Sequence, residues 1–153
     1  MMPGENDCRV SKSEEETARL GETLARACRG GEVISLEGSL GMGKTVFAKG
    51  IARGLGIDEK EVTSPSFVLI REHKGRLLLF HIDLYRVDRV EEMKGIGLEE
   101  CFGRADAVSV VEWGEKLIPL FGKPSCRVRF EDLGGRRRRI VLALSGWSGA
   151  CEV

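Results

Sequence analysis

A chain of 153 residues, 42% hydrophobic and 31% charged, has the length of one domain and the make-up of an ordinary globular protein. At that length it is expected to bury roughly 68–70% of the surface its unfolded chain would expose. Lys plus Arg equals Asp plus Glu at 24 each, so no global field draws the molecule to nucleic acid or to a membrane, and any such contact has to be local.

In chain order, "SKSEEETARLGETLARACRGG" opens with Ser13 and Glu16 in capping-box register. Ala18, Leu20, Leu24 and Cys28 follow near helical spacing, and the predicted helix stops at Gly30-Gly31. "EVISLE" is a short apolar strand, and "GKTVFAKGIARGLG" reads as a helix from Lys44 to about Gly54 or Gly56. "SFVLIREHK" and "RLLLFHIDLYR" are strand-like runs with Gly75 at the turn between them. "VEEMKGIGLEECF" predicts short helical pieces interrupted by Gly95 and Gly97. "AVSVVEW" is another strand, followed by a short helix ending near Pro119. Two alternating runs around Gly134-Gly135 predict a closing hairpin.

Strands alternating with helices imply an α/β fold, a mostly parallel central sheet flanked by helices with antiparallel strands added. Without repeats or a linker, residues 1–153 are expected to form one domain, residues 1–12 being a loosely ordered segment or an edge strand. The five cysteines Cys8, Cys28, Cys101, Cys126 and Cys151 form no CxxC pair, which argues against a disulfide framework or a zinc site. With no apolar leader in "MMPGENDCRV" and no run near the ~20 apolar residues of a membrane span, a cytoplasmic location is expected.

The stretch "GSLGMGKT", residues 38 to 45, fits the phosphate-loop pattern G-x-x-x-x-G-K-[ST] in its proper context, after a strand and before a helix. Glycines at 38, 41 and 43 permit backbone conformations that side chains hinder, so successive N–H groups can converge on phosphate oxygens. The helix from Lys44 presents unpaired N–H groups and the positive end of its dipole. Lys44 adds a charge toward the β- and γ-phosphates, and the Thr45 hydroxyl is placed for Mg²⁺. Ser39, Leu40, Gly41, Met42, Gly43, Lys44, Thr45 and Val46 are therefore the candidate nucleotide-binding residues.

Asn6 is the only asparagine, which excludes the Asn-Lys-x-Asp element of common GTPases, and the chain has no glutamine to orient an attacking water. ATP with Mg²⁺ is the expected ligand, and a carboxylate has to handle the water. Asp83 closes "LLLFHID" and Glu112 closes "VSVVE", and carboxyl ends of parallel strands face the ligand crevice of an open sheet. One of these acids can hold Mg²⁺ while the other polarises the water; a salt bridge or a helix cap is the plainer alternative for each. Asp83 and Glu112 are the candidate catalytic acids, and Thr45 and Glu112 the candidate metal ligands. In "TSPSF", the Ser66 hydroxyl is a candidate sensor of the γ-phosphate.

Taken together, "GSLGMGKT", "TSPSF", "HIDLYR" and "VEWGEKL" resemble the TsaE (YjeE) family over roughly residues 13 to 145. These are small bacterial ATPases needed to make threonylcarbamoyladenosine beside the anticodon of tRNAs that read ANN codons. The resemblance implies a P-loop fold, and ATP hydrolysis coupled to the TsaD–TsaB complex, which itself carries out the transfer to tRNA. It implies that Lys44 and Thr45 hold phosphate and magnesium, that Asp83 and Glu112 are the functional acids, that Trp113 flanks the site and that Glu14 approaches the adenine. The family's usual SPTF or SPTY stands here as Ser64-Pro65-Ser66-Phe67, and Gly114 replaces the proline that often follows the tryptophan.

Some residues keep two readings at this level. His81, Asp83 and Tyr85 share a strand face if the strand continues, as a site cluster or as core packing. Arg86 is a cis arginine finger or a structural salt bridge. Arg136 to Arg139, two to each face of a strand, contact an anionic partner or guard a sheet edge. A small-molecule kinase and a nucleotide-dependent assembly module without turnover are the rival functions.

Overall fold

The computed structural model describes residues 6–38, 43–63 and 69–144. Strand β1 (Asn6–Ser11) leads into helix α1 (Glu14–Arg26). The Ser13 side chain caps α1 by accepting from Glu16 N at 3.1 Å, while the Glu16 carboxylate accepts from Lys12 N at 2.6 Å, one residue before the expected partner. The helix ends at Arg26, short of Gly30-Gly31. Its last carbonyls have a long-range partner that periodicity does not reveal: the Arg76 guanidinium donates to Ala25 O at 2.9 Å and Cys28 O at 3.1 Å. Gly30 and Gly31, with φ of 115° and 93°, then turn the chain into β2 (Val33–Glu37).

Helix α2 (Lys44–Gly54) follows, then a 3-10 turn (Glu59–Glu61), β3 (Ile70–Lys74) and β4 (Leu78–Asp83). Strand β4 stops at Asp83, so Tyr85 and Arg86 sit in a turn and Tyr85 does not extend the His81–Asp83 face. Short helices α3 (Val90–Met93) and α4 (Leu98–Phe102) precede β5 (Ala107–Glu112). A 3-10 turn (Gly114–Leu117) runs into α5 (Ile118–Phe121), where Pro119 lies in the first turn, where proline is tolerated, and does not end the helix. Strands β6 (Cys126–Gly134) and β7 (Arg137–Leu144) form the closing hairpin.

The strands make one seven-stranded sheet in the order β1-β7-β6-β2-β5-β4-β3. Its centre, β6-β2-β5-β4, is parallel, while β3, β7 and β1 each pair antiparallel with a neighbour. The fold is thus mixed α/β. Residues 6–11 form an edge strand on β7.

The strand pleat sorts side chains between two cores. Ile34, Leu36, Leu79, Val108, Val110, Val128, Ile140 and Leu142 pack with Leu24, Phe47 and Ile51 of α1 and α2. Phe80, Ile82, Ala107 and Val111 pack on the opposite face with Met93, Leu98 and Leu117. By the same alternation, His81, Asp83 and Glu112 project toward α2.

Helices α1 and α2 approach so closely that a Cβ at Gly50 would collide with the backbone of Ala18, its carbonyl carbon standing only 2.6 Å away. Gly50→Ala is expected to lower unfolding stability by about 1–3 kcal/mol despite alanine's better helix propensity, because overpacking outweighs it. Urea denaturation measures this, and a stabilised variant would show that the helices yield.

Candidate functional site

The chain leaves β2 at Glu37, and this end of the strand is anchored from below the sheet. Arg127 on β6 donates to Glu37 Oε2 at 2.7 Å and to Oε1 at 2.8 Å, and Ser35 Oγ donates to Oε2 at 2.9 Å. Burial alone would raise the Glu37 carboxyl, but these bonds hold it below the usual carboxylate range. Gly38 and Gly43 bracket the next segment with φ of 147° and 97°, values that favour glycine. Ser39, Leu40, Gly41, Met42 and Ser66 lie outside the described residues.

At the start of α2, Lys44 is buried and bends back: Nζ donates to Gly38 O at 2.6 Å and stands 3.7 Å from the centre of the Trp113 ring. Desolvation lowers its pKa, against the opposing pull of Glu112, Glu115 and Asp83. Thr45 Oγ1 lies 3.2 Å from Glu112 Oε1 and 3.3 Å from Oε2. Glu112 Oε2 is also 2.6 Å from His81 Nε2.

Asp83 stands beside Glu112 in the parallel register of β4 and β5, and its Oδ1 accepts from Tyr85 N at 2.9 Å. Burial raises the Asp83 pKa, and the nearby Glu112 charge adds to the rise; the Tyr85 bond, His81 and Lys44 oppose it. A folded-state pKa above the unfolded one makes the ionised form a cost, absent at low pH and present once pH exceeds the folded value. Asp83→Asn is therefore expected to raise Tm at pH 7, without Mg²⁺, by about 2–4 °C, as about 1 kcal/mol does in a domain of this size. The gain should shrink as pH falls and vanish below the unfolded-state pKa, where both states are protonated; equal gains at pH 4 and pH 7 in thermal melts would contradict it.

Trp113 adopts a left-handed backbone (φ 61°), which lays its ring between Lys44 and the Tyr85 ring, 5.2 Å away. Gly114 then packs against β2, where a Cβ would stand 2.8 Å from Ser35 Cα, so this position needs glycine in this chain.

These groups line one cleft of about 950 Å³, within the size range of small-molecule sites. Gly43, Lys44, Thr45, Val46, Asp83, Glu112, Trp113 and Glu14 all border it, so every candidate among the described residues converges there. Arg86, Arg136 and Arg138 reach it as well. Arg138 lies on the α2 side of β7 and also pairs with Asp132 at 2.9 Å, whereas Arg139 lies on the other face and pairs with Glu131 at 2.9 Å. The reading of the residues missed Lys12 and Thr17. Thr17, one turn beyond the Ser13 cap, offered helical spacing as a signal; Lys12 offered none.

Among the described residues no helix is long and apolar enough to cross a membrane, and no three His, Cys, Asp or Glu side chains group as a metal site. Among the described cysteines Cys8 is exposed, while Cys28, Cys101 and Cys126 are buried.

Fold and site together define a mixed α/β protein with one polar cleft. The cleft sits at the carboxyl ends of parallel strands, between a lysine-bearing helix N-terminus and two adjoining carboxylates. Residues 11–140 match the family described as "Threonylcarbamoyl adenosine biosynthesis protein TsaE", and the chain belongs to that family. It is 40% identical over 134 residues to the tRNA threonylcarbamoyladenosine biosynthesis protein TsaE of Treponema pallidum, covering 88% of this chain and 98% of the relative. The Bacillus subtilis protein of the same name is 36% identical over 133 residues, covering 86% and 82%. The crystal structure of Bacillus subtilis YdiB superposes with a TM-score of 0.74 at 31% identity, covering 95% of this chain and 90% of that one. The resemblance carried by the four motifs is borne out.

Proposed function

We propose that this chain is the ATP-binding and ATP-hydrolysing component of tRNA threonylcarbamoyladenosine modification, built on a P-loop NTPase fold and acting on or resetting a TsaD–TsaB complex. The observation that carries the reading is the meeting of Lys44, Thr45, Asp83 and Glu112, drawn from three separated segments, at one cleft. The residues fit the ligand: a buried ammonium and a helix N-terminus suit phosphate, and a hydroxyl beside a carboxylate suits a hard cation.

On this reading Lys44 leaves Gly38 O and the Trp113 ring to meet phosphate oxygens, and Thr45 and Glu112 hold Mg²⁺. The metal, when bound, neutralises phosphate charge. Asp83, with its raised pKa, polarises water beside Glu112. Glu14 at the cleft border lies toward the base, and Trp113 walls the phosphate end. Contact with tRNA is indirect, through the partner complex.

Co-purification with TsaD and TsaB, with and without ATP, followed by a phosphate-release assay on the complex, tests partner and chemistry together. ATP-dependent retention with release of inorganic phosphate is expected. Labelled phosphate appearing on a metabolite would favour a kinase, and retention without turnover an assembly module.

A further inference from the structure

We propose that His81 is a positioning residue for Glu112, holding one carboxylate oxygen so that the other is presented to the metal beside Thr45; this rests on the nucleotide-site reading above. Although Glu112 pairs with Asp83 in the β4–β5 register, its carboxylate turns back along the sheet to His81, with 2.6 Å between Nε2 and Oε2. The ring is 0% exposed and its Nδ1 has no hydrogen-bond partner among the described residues.

A carboxylate only accepts, so the ring hydrogen that faces it sits on Nε2. Buried polar atoms are as a rule paired, and a residue needed only for packing would be better apolar at this place in the core. The unpaired Nδ1 is a cost retained for the bond on the other side of the ring. That bond fixes Oε2 and the carboxylate plane, with the Thr45 hydroxyl 3.2 Å from Oε1 and 3.3 Å from Oε2, and leaves Oε1 without a second partner of its own among the described residues. Outer partners of this kind orient a ligating carboxylate without touching the metal.

Two measurements test it. The chain has 2 histidines, so ring nitrogen NMR with a His73→Gln variant assigns His81 directly. A hydrogen on Nε2 is expected in the nucleotide-free protein, and a ring with Nε2 bare would overturn the proposal. In titrations with a fluorescent ATP analogue, His81→Leu should raise the Mg²⁺ concentration for half-maximal tightening about tenfold and leave affinity in EDTA unchanged, with His81→Gln returning to within about threefold of wild type. A merely structural histidine would weaken both affinities together without rescue by glutamine. An unchanged Mg²⁺ requirement in folded His81→Leu would sink this role and spare the site reading. Wild-type protein that binds no nucleotide would instead remove the site reading itself.

Discussion

Lys44→Ala is expected to abolish tight ATP binding while leaving the fold as stable as before or more so. The two effects have opposite signs because the site holds a cation where the fold alone would not choose one. Lys44 opens α2, where the helix dipole disfavours positive charge, and it is 5% exposed. Its lowered pKa means that the charged form is a folding cost at every pH below the folded-state value, neutral pH included. The bond to Gly38 O and the face of Trp113 only partly offset that cost. Phosphate oxygens would compensate it fully. Truncation of a buried charged partner typically removes about 3 kcal/mol, so ATP affinity should fall more than a hundredfold. Calorimetric titration with a thermal melt on the same sample measures both; unchanged affinity would remove the phosphate-loop assignment.

Glu112→Gln should reduce turnover at least about 100-fold and raise the Mg²⁺ concentration needed for tight nucleotide binding, while affinity at saturating Mg²⁺ changes far less, the pattern of a metal-holding group used mainly in the transition state. The amide oxygen of the variant can still accept from His81, so the fold is spared. Glu112→Ala differs: it strips a buried imidazole N–H and the Thr45 hydroxyl of their partner, and should unfold about 1–3 kcal/mol more easily. Phosphate release in the complex and thermal melts of both variants separate the chemical from the structural loss. Full turnover in Glu112→Gln would move the metal-holding role to Asp83.

Much of the candidate site was legible because the phosphate-loop pattern is contiguous in sequence. A loop that wraps an anion has to carry its glycines, lysine and hydroxyl within a few residues, so the signal in residues 38 to 45 is local. Asp83 and Glu112 were legible because each ends an apolar run, and parallel strands place such ends together. The end of α1 was not legible: its carbonyls are capped by Arg76, some fifty residues away. Nor was the extent of β4, since "HIDLYR" alternates past the point where ladder pairing stops. The division of Arg136 to Arg139 between faces followed from the pleat, but the cleft that receives Arg138 did not.

Local chemistry thus determined, by sequence alone, the order of the elements, the adjacency of the two acids and the family. Which oxygen of Glu112 His81 holds, which groups Lys44 meets, and why Gly114 must be glycine were decided only by tertiary structure. Each depends on side chains from distant strands closing within hydrogen-bonding or contact distance. Pattern along a chain specifies which face a residue takes; only packing specifies what it meets there.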